Sequence, residues 1–345
     1  MLKTLKAQET RTEIYTYNAE YVNEVRISSA GNSLLLDGES ISSCCLNCIN
    51  PRCMLINNAG VQCTMFKDIA GSVDMHVCPS RAISIGEKSI RIDETLCSGC
   101  GLCARACPVA AIEIESGIAK VNVYSGDKHI KKLSVIAENT AEQERFLAKC
   151  ENASRQGIIL YESDSIMKNI QKYVNFLNQD KQNIFVRNIL ILLGNYTTVA
   201  RKGNVYMRLD GFYQNQLGYG VLEVETGSET LDVSRAILDD IAVLNSRHGI
   251  SKDDNKPLAV CLSLPNKRTD YWQLVKDIKD VTGIKVQTLT IGALLIMLWN
   301  NMQIQDFSNF YIDVDNTSIR EVIEEIIGRK VQLSAGTYGI LENEK

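Results

Sequence analysis

Between Asn183 and the C-terminus, apolar positions alternate between helical and strand rhythms. Phe185 to Leu193 (FVRNILILL) is apolar at helical spacing and stops at Gly194, suited to the left-handed position that ends a helix. Extended-looking segments follow at Tyr196 to Ala200, Val205 to Leu209 and Tyr219 to Val224. The last two flank a Gln-, Asn- and Gly-rich stretch (YQNQLGYG) that reads as a turn. Val233, Ile237, Ile241 and Leu244 make one stripe of a helix from Val233 to Asn245. Leu258 to Leu264 (LAVCLSL) reads as a buried strand, Tyr271 to Val281 as an amphipathic helix ending before Gly283, and Ile284 to Ile291 as a further strand. Ser318 and Glu321 open a final helix as a capping box, and Gly328 closes it. Helix, three strands, helix, strand, helix, strand is most economically a mixed sheet flanked by helices.

Upstream, the polar, helix-prone stretch from Ser125 to Gln182 predicts linker helices. The longest apolar run, Ile291 to Trp299 (IGALLIMLW), is too short to cross a bilayer, so no membrane anchor is expected. MLKTLKAQETRTEIY at the N-terminus lacks the apolar stretch of a signal peptide, which makes a cytoplasmic location the expectation. A length of 345 residues suggests two or three domains, and 45% apolar with 23% charged residues is ordinary soluble composition. A net charge of −4 argues against a polybasic nucleic-acid binder but leaves room for a nuclease with an acidic metal site.

Ten of the twelve cysteines fall between positions 44 and 107, and they set the chemistry of the N-terminal half. Cys97, Cys100, Cys103, Cys107 and Pro108 spell C-x2-C-x2-C-x3-C-P. At that spacing three thiolates wrap one corner of a [4Fe–4S] cube, and the fourth ligates a neighbouring cube. A second pair, Cys78-Pro79, is followed by SRAISI as Cys107-Pro108 is followed by VAAIEI, an internal repeat. Upstream stands Cys45-Leu-Asn-Cys48-Ile-Asn-Pro-Arg-Cys53. A disulfide framework would need an oxidising compartment and usually a small secreted domain, and a zinc ribbon would lack the C-P endings. Cys150 and Cys261 stand alone and read as buried hydrophobes.

These motifs resemble the bacterial two-cluster ferredoxins, and the proline-containing half looks like the electron-transfer subunits of multisubunit reductases. The resemblance implies two [4Fe–4S] clusters, one on Cys45, Cys48, Cys53 and Cys107 and one on Cys78, Cys97, Cys100 and Cys103. The chain departs from the family between Cys53 and Cys78, where twenty-four residues intervene. Cys63 or Cys44 therefore stays open as a replacement ligand upstream, with Asp74 a weaker oxygen candidate. His76 either tunes a cluster by hydrogen bonding to sulfur or lies at the surface, the default expectation.

A second constellation lies in the C-terminal half. Arg208-Leu209-Asp210-Gly211 precedes Val221-Leu222-Glu223-Val224-Glu225. Glu223 and Glu225, two apart on a strand, emerge on one face, and Asp210, read as the end of the preceding strand, converges on it. Carboxylates so placed suit a hard cation such as Mg²⁺ or Mn²⁺. Across roughly residues 183 to 300 the order of elements resembles the PD-(D/E)xK nuclease superfamily, to which many restriction endonucleases belong. The resemblance implies catalytic Asp210, Glu223 and Glu225, with the metal on Asp210 and Glu223. Glu225 replaces the motif's lysine, an E-x-E variant that some active members carry. Arg235 on the following helix is expected at a phosphate. The plain alternative for the acids is a solvated strand face.

The remaining candidates add little. His248 suits a helix C-terminus, His129 is isolated, and Trp272 and Trp299 read as core. Without a glycine-rich phosphate loop, nucleotide hydrolysis is not expected.

The expectation is an α+β multidomain chain. It comprises an N-terminal extension (1–40), a ferredoxin-like dicluster domain (41–124), a helical linker (125–182) and a restriction-endonuclease-like α/β domain with a mixed central sheet (183–345). The expected function is a metal-dependent DNA endonuclease carrying iron–sulfur clusters, in prokaryotic restriction or antiphage defence. DNA is the expected partner, beside a homodimer or another defence-system protein. The alternatives are an electron carrier whose C-terminal domain docks a partner, and an inactive nuclease-fold assembly subunit.

Overall fold

A computed structural model describes residues 10–15, 19–22, 24–30, 33–36, 41–42, 53–56, 71–85, 89–107, 112–125, 130–135, 162–201, 209–227, 230–334 and 339–343. The chain forms two compact units, Met1–Ile56 with His76–Leu160 and Asn57–Met75 with Tyr161–Lys345.

In the first unit, β1 (Thr10–Tyr15), β2 (Ala19–Val22), β3 (Glu24–Ala30), β4 (Ser33–Leu36) and β5 (Ile41–Ser42) precede the cysteine repeat. β6 (Ile83–Ile85) and β7 (Ser89–Ile92) form the antiparallel pair that follows Cys78. α1 (Leu102–Ala106) carries Cys103. β8 (Ile112–Glu115) and β9 (Ile118–Ser125) form the equivalent pair after Cys107, so the repeat in sequence is a repeat in structure. The residues read as an N-terminal extension are built into these sheets: β2 pairs with β9 and β3 with β7. β10 (Ile130–Val135) pairs with β1 in a stretch where linker helices are expected. That pairing joins segments more than a hundred residues apart, which local helix propensity does not register.

In the second unit, α2 (Asp164–Phe176) and α3 (Gln179–Leu192) lead into the sheet. Ser163 caps α2 by accepting from the Ile166 N–H, and Asn178 caps α3 through Lys181 N–H. Both begin inside the stretch assigned to a linker. β11 (Tyr196–Val199), β12 (Gly211–Asn215) and β13 (Gly218–Glu225) form an antiparallel meander. α4 (Thr230–His248) leads to β14 (Leu258–Cys261), and α5 (Tyr271–Thr282) leads to β15 (Gln287–Thr290). β14 runs parallel to β13 and β15 parallel to β14, completing a five-stranded mixed sheet in chain order. α6 (Ile291–Trp299) is buried along its whole length, as a helix apolar on every side must be. α7 (Arg320–Ile327) ends at Gly328 in the left-handed conformation.

Two details correct the sequence reading. Val205 to Leu209 lies mostly outside the described residues, and the strand before β13 is instead Gly211–Asn215. Its residues read as a turn, but only Gln216 and Leu217 turn; Asn215 Oδ1 accepts from the Leu217 N–H at 2.9 Å. The Ser318–Glu321 capping box does not form as such. Ile319 stands at the N-cap without a side-chain bond, and Ser318 Oγ accepts from Arg320 N–H at 3.3 Å. Trp272 and Trp299 are buried, as expected of core residues. Among the described residues, no helix is long and apolar enough to cross a membrane.

Candidate functional site

The cysteine loop from Cys97 to Cys107 is shaped by glycine. Gly99 and Gly101 adopt φ of 69° and 81°, so the backbone curls between Cys97, Cys100 and Cys103. A Cβ on Gly99 would stand 2.3 Å from the Gly117 carbonyl oxygen, so this turn approaches the β8–β9 turn too closely for any side chain. Ala119 N–H donates to Cys97 Sγ at 3.3 Å, and Cys78 Sγ lies 3.3 Å from Ser80 Oγ.

The thiols are crowded. Burial, then the charges of Cys78 and Cys97, pushes Cys100 up to about 12. Burial raises Cys103 as well, followed by Cys100, Cys78, Cys97 and Cys53. Cys78, Cys97, Cys100 and Cys103 thus share one neighbourhood, with Cys53 in range. Thiolates brought together repel unless a cation neutralises them, and soft thiolate donors suit iron, although among the described residues no three or more His, Cys, Asp or Glu side chains are grouped tightly enough to hold a metal ion. Cys107 is buried after α1, and none of the described cysteines is in a disulfide. Cys44, Cys45, Cys48, Cys63, Pro108, His129 and Cys150 lie outside the described residues.

Two expectations around this loop change. His76 is 8% exposed rather than a surface residue, and its Nδ1–H donates to the Cys78 carbonyl at 3.1 Å. Asp74 belongs to the second unit, where its carboxylate meets Lys181 Nζ at 2.5 Å.

The acids lie on the meander. Gly211 pairs with Leu222, so Asp210 stands one step outside β12, next to the pair that adjoins Glu223. It begins this strand pair instead of ending an earlier strand. Glu223 and Glu225 are half-buried and alternate with buried Leu222 and Val224, which puts both on one face of β13. Burial, then Glu225, raises the Asp210 carboxyl, and a side-chain hydrogen bond from Asn183 opposes the shift. Glu223 is pushed up to about 9 by burial, then by Asp210, Asp240 and Glu225. Glu225 Oε1 accepts from the Gly227 N–H at 2.6 Å. Among the described residues no three or more His, Cys, Asp or Glu side chains are grouped to hold a metal ion. Asp210 and Glu223 could thus offer a hard cation at most two carboxylates, and it would keep several of its waters.

Helix α3 supplies residues that the sequence reading missed. Gln179 Nε2 donates to the Val224 carbonyl at 2.9 Å and to Asn183 Oδ1 at 3.1 Å. Thr226 Oγ1 donates to Gln182 Oε1 at 2.7 Å. The available signal is spacing: Gln179, Asn183 and Arg187 recur every four residues along one side of the helix. Asp240, buried at 3% exposure on α4, adds negative charge beside Glu223 and was likewise missed. Cys261 is fully buried, paired in register with Glu225. Arg235 faces Asp232 at 3.6 Å with its side chain 74% exposed, and His248 is the exposed last residue of α4.

The family described as a 4Fe-4S binding domain matches residues 90–113, which are a 4Fe–4S binding segment. An uncharacterized ferredoxin of Methanocaldococcus jannaschii is 34% identical over 94 residues, covering 24% of this chain and 56% of that protein. Component A of hydrogenase-4 of Escherichia coli is 45% identical over 51 residues, covering 15% of this chain and 24% of that protein. The chain thus spans about half the length of the first relative and about a quarter of the second. Among solved structures, the restriction endonuclease FokI covers 55% of this chain alone and 64% bound to DNA, with 34% and 39% of those chains matched. Identities are 9% and 10% and both TM-scores are 0.29, too low to bear on fold or activity.

Proposed function

We propose that the chain is an iron–sulfur protein whose second unit cuts phosphodiester bonds in DNA, using a divalent metal at Asp210 and Glu223. The observation that carries this reading is the Gly211–Leu222 pairing, which brings Asp210 near enough to Glu223 for its charge to act on it. Bound there, Mg²⁺ or Mn²⁺ would polarise a phosphodiester and ease ionisation of a water. The chain's own residues prepare that place. Burial and mutual repulsion leave Asp210 and Glu223 seeking neutralisation, which a cation satisfies as a proton does. Asn183 orients Asp210, and Gln179 fixes the β13 backbone between the two glutamates. Gly227 holds one oxygen of Glu225, and the other is assigned to orient or deprotonate the attacking water.

In this reading Cys78, Cys97, Cys100 and Cys103 hold one [4Fe–4S] cluster, and Cys45, Cys48, Cys53 and Cys107 hold a second. A cytoplasmic role in restriction or antiphage defence follows by analogy of architecture alone. The test is anaerobically purified protein with Mg²⁺ or Mn²⁺ on plasmid DNA, beside Asp210→Ala. Cutting by the parent chain that the variant lacks supports the reading. Absence of cutting on every nucleic acid offered, with reversible reduction of the iron, overturns it.

The likeness of the cysteine segment to a ferredoxin and to a hydrogenase component favours a second reading, an electron carrier whose second unit docks a partner. Such a carrier has no use for Asp210, Glu223 or Glu225, so their substitution should leave its reduction unchanged.

A further inference from the structure

We propose that cluster assembly in the cysteine loop sets the order of the acid pair through residues 71–75, which serve as an added strand and a clamp on α3. The consequence for DNA cutting rests on the reading above; the change in order does not.

The chain leaves the first unit after Ile56 and returns at His76. Its exit and return are zipped together: Val77 N–H donates to the Met54 carbonyl at 2.9 Å, and Leu55 bridges His76. Cys53 and Cys78 flank this neck directly.

In the second unit the same segment pairs with the free edge of β11. Gly71 bridges Ala200, and Ser72 N–H donates to the Val199 carbonyl at 2.8 Å. A Cβ on Gly71 would stand 1.9 Å from Thr198 Oγ1, so a side chain there would force the Thr198 hydroxyl to move. The peptide that joins Val199 to Ala200 also serves the acid site, because Ala200 N–H donates to the Asp210 carbonyl at 2.8 Å. One peptide unit therefore accepts from the insertion and donates to Asp210, and such chains polarise one another.

Helix α3 forms the second connection. The Arg187 side chain is 1% exposed; Nη1 donates to the Ser72 carbonyl at 3.4 Å and Nη2 to the Asp74 carbonyl at 2.5 Å. Burial pulls this guanidinium down to about 10, against the charge of Asp74. Lys181 pairs with the Asp74 carboxylate. On the same helix Asn183 and Gln179 reach Asp210 and β13. Withdrawing segment 71–75 would take carbonyl partners from a buried charge, so α3 must loosen or rotate to rehydrate it. Bonds from the Cys53 and Cys78 sulfurs to iron would fix both ends of the neck, and free thiols would not.

The test is hydrogen–deuterium exchange on the full, anaerobically purified chain, loaded and after chelation of its iron. Peptides spanning 179–199 and 210–225 should exchange about tenfold faster without iron, while the α6 peptide stays unchanged. Equal exchange in both forms overturns the proposal, as does parallel acceleration in α6, which marks global unfolding. Lys181→Met, with the visible absorption of the loaded chain retained, should accelerate the same peptides, and no acceleration removes the clamp. Metal-dependent DNA cutting is read alongside. If exchange follows the iron and neither form cuts, the coupling stands and the nuclease reading falls. If both forms cut equally and exchange does not respond, the coupling falls alone.

Discussion

Asp210 lies one residue before β12, next to the Gly211–Leu222 pair that adjoins Glu223 on β13, and its charge adds to burial in pushing Glu223 up to about 9. Like charges that meet across neighbouring strands cost stability. Gln179 and Asn183 hold both strands against α3, so the pair cannot splay apart to relieve itself. A site strained in this way is stabilised by whatever neutralises it.

Glu223→Gln should therefore stabilise the metal-free protein while removing metal-dependent cutting. A carboxyl pushed up to about 9 must take up a proton on folding near neutral pH, which Gln avoids, so the variant is expected to gain about 1–3 kcal/mol, each pKa unit being worth about 1.4 kcal/mol. Thermal unfolding with a chelator present should show the variant melting above the parent. With Mg²⁺ in excess the gap should close, because the cation stabilises only the parent. A variant that melts lower in chelator would remove the argument from repulsion.

Gly220→Ala should disrupt the meander without touching an acid. The new Cβ would stand 1.9 Å from the Lys256 carbonyl oxygen and 2.8 Å from the Tyr213 ring. Backbone cannot retreat as a flexible side chain does, so the cost is expected at about 3 kcal/mol or more. Denaturant unfolding measures it, with the iron content of the first unit as the internal control.

Elements that carry their own rhythm were legible in the sequence. The stripe of Val233, Ile237, Ile241 and Leu244 lies inside α4, and Gly194, Gly283 and Gly328 take up positive φ at helix ends. β12 was not legible, because Gln214 and Asn215 look like turn residues when read alone. Asn215 is in fact buried, and its Nδ2 donates to Asn195 Oδ1 at 2.7 Å, a partner known only from the fold. The acids Asp210, Glu223 and Glu225 announce themselves by motif, whereas Asn183 reaches Asp210 from a different element. The gap between Cys53 and Cys78 was visible as an anomaly. Its cause, a segment incorporated into the other unit, depends on a pairing with Val199 and Ala200 that no local pattern encodes.

Glu162 and Arg329 predict how acid unfolds the second unit. The Glu162 side chain is fully buried; Arg329 Nη1 and Nη2 donate to Oε1 and Oε2 at 2.9 and 2.6 Å, and the Gln332 N–H adds a third bond. Burial alone would raise this carboxyl, but those bonds outweigh it and hold it below its ordinary value. A depressed folded pKa contributes stability that is present above the unfolded value and is lost as pH falls through the folded one. Glu162→Gln should thus cost about 3 kcal/mol at pH 7, where it removes the counter-charge of a partly buried guanidinium. The difference from the parent should shrink below about pH 4, where the unfolded carboxyl is protonated. Urea midpoints at the two pH values decide it, and a pH-independent difference would show that the charge is irrelevant.

Gly99→Ala separates a cradle shaped for iron from a merely cysteine-rich loop. Gly99 sits at φ 69° between Cys97 and Cys100, and a Cβ there would stand 2.3 Å from the Gly117 oxygen and 3.0 Å from the Gly117 Cα. The left-handed backbone alone costs a side chain about 1–2 kcal/mol, and the contact with backbone adds to it. The loop would relieve both by swinging away from the β8–β9 turn, which carries the Ala119 N–H away from Cys97 Sγ. All cysteine ligands remain in the sequence, so a loss of iron would come from geometry. Anaerobically purified Gly99→Ala should hold less iron and acid-labile sulfide per chain than the parent. Gly117→Ala is the control: it shares the positive φ of 77°, yet its Cβ would meet nothing within 4 Å. It should therefore keep more iron than Gly99→Ala. Equal iron in the two variants would mean that backbone strain, not the close approach of the two turns, governs the cradle.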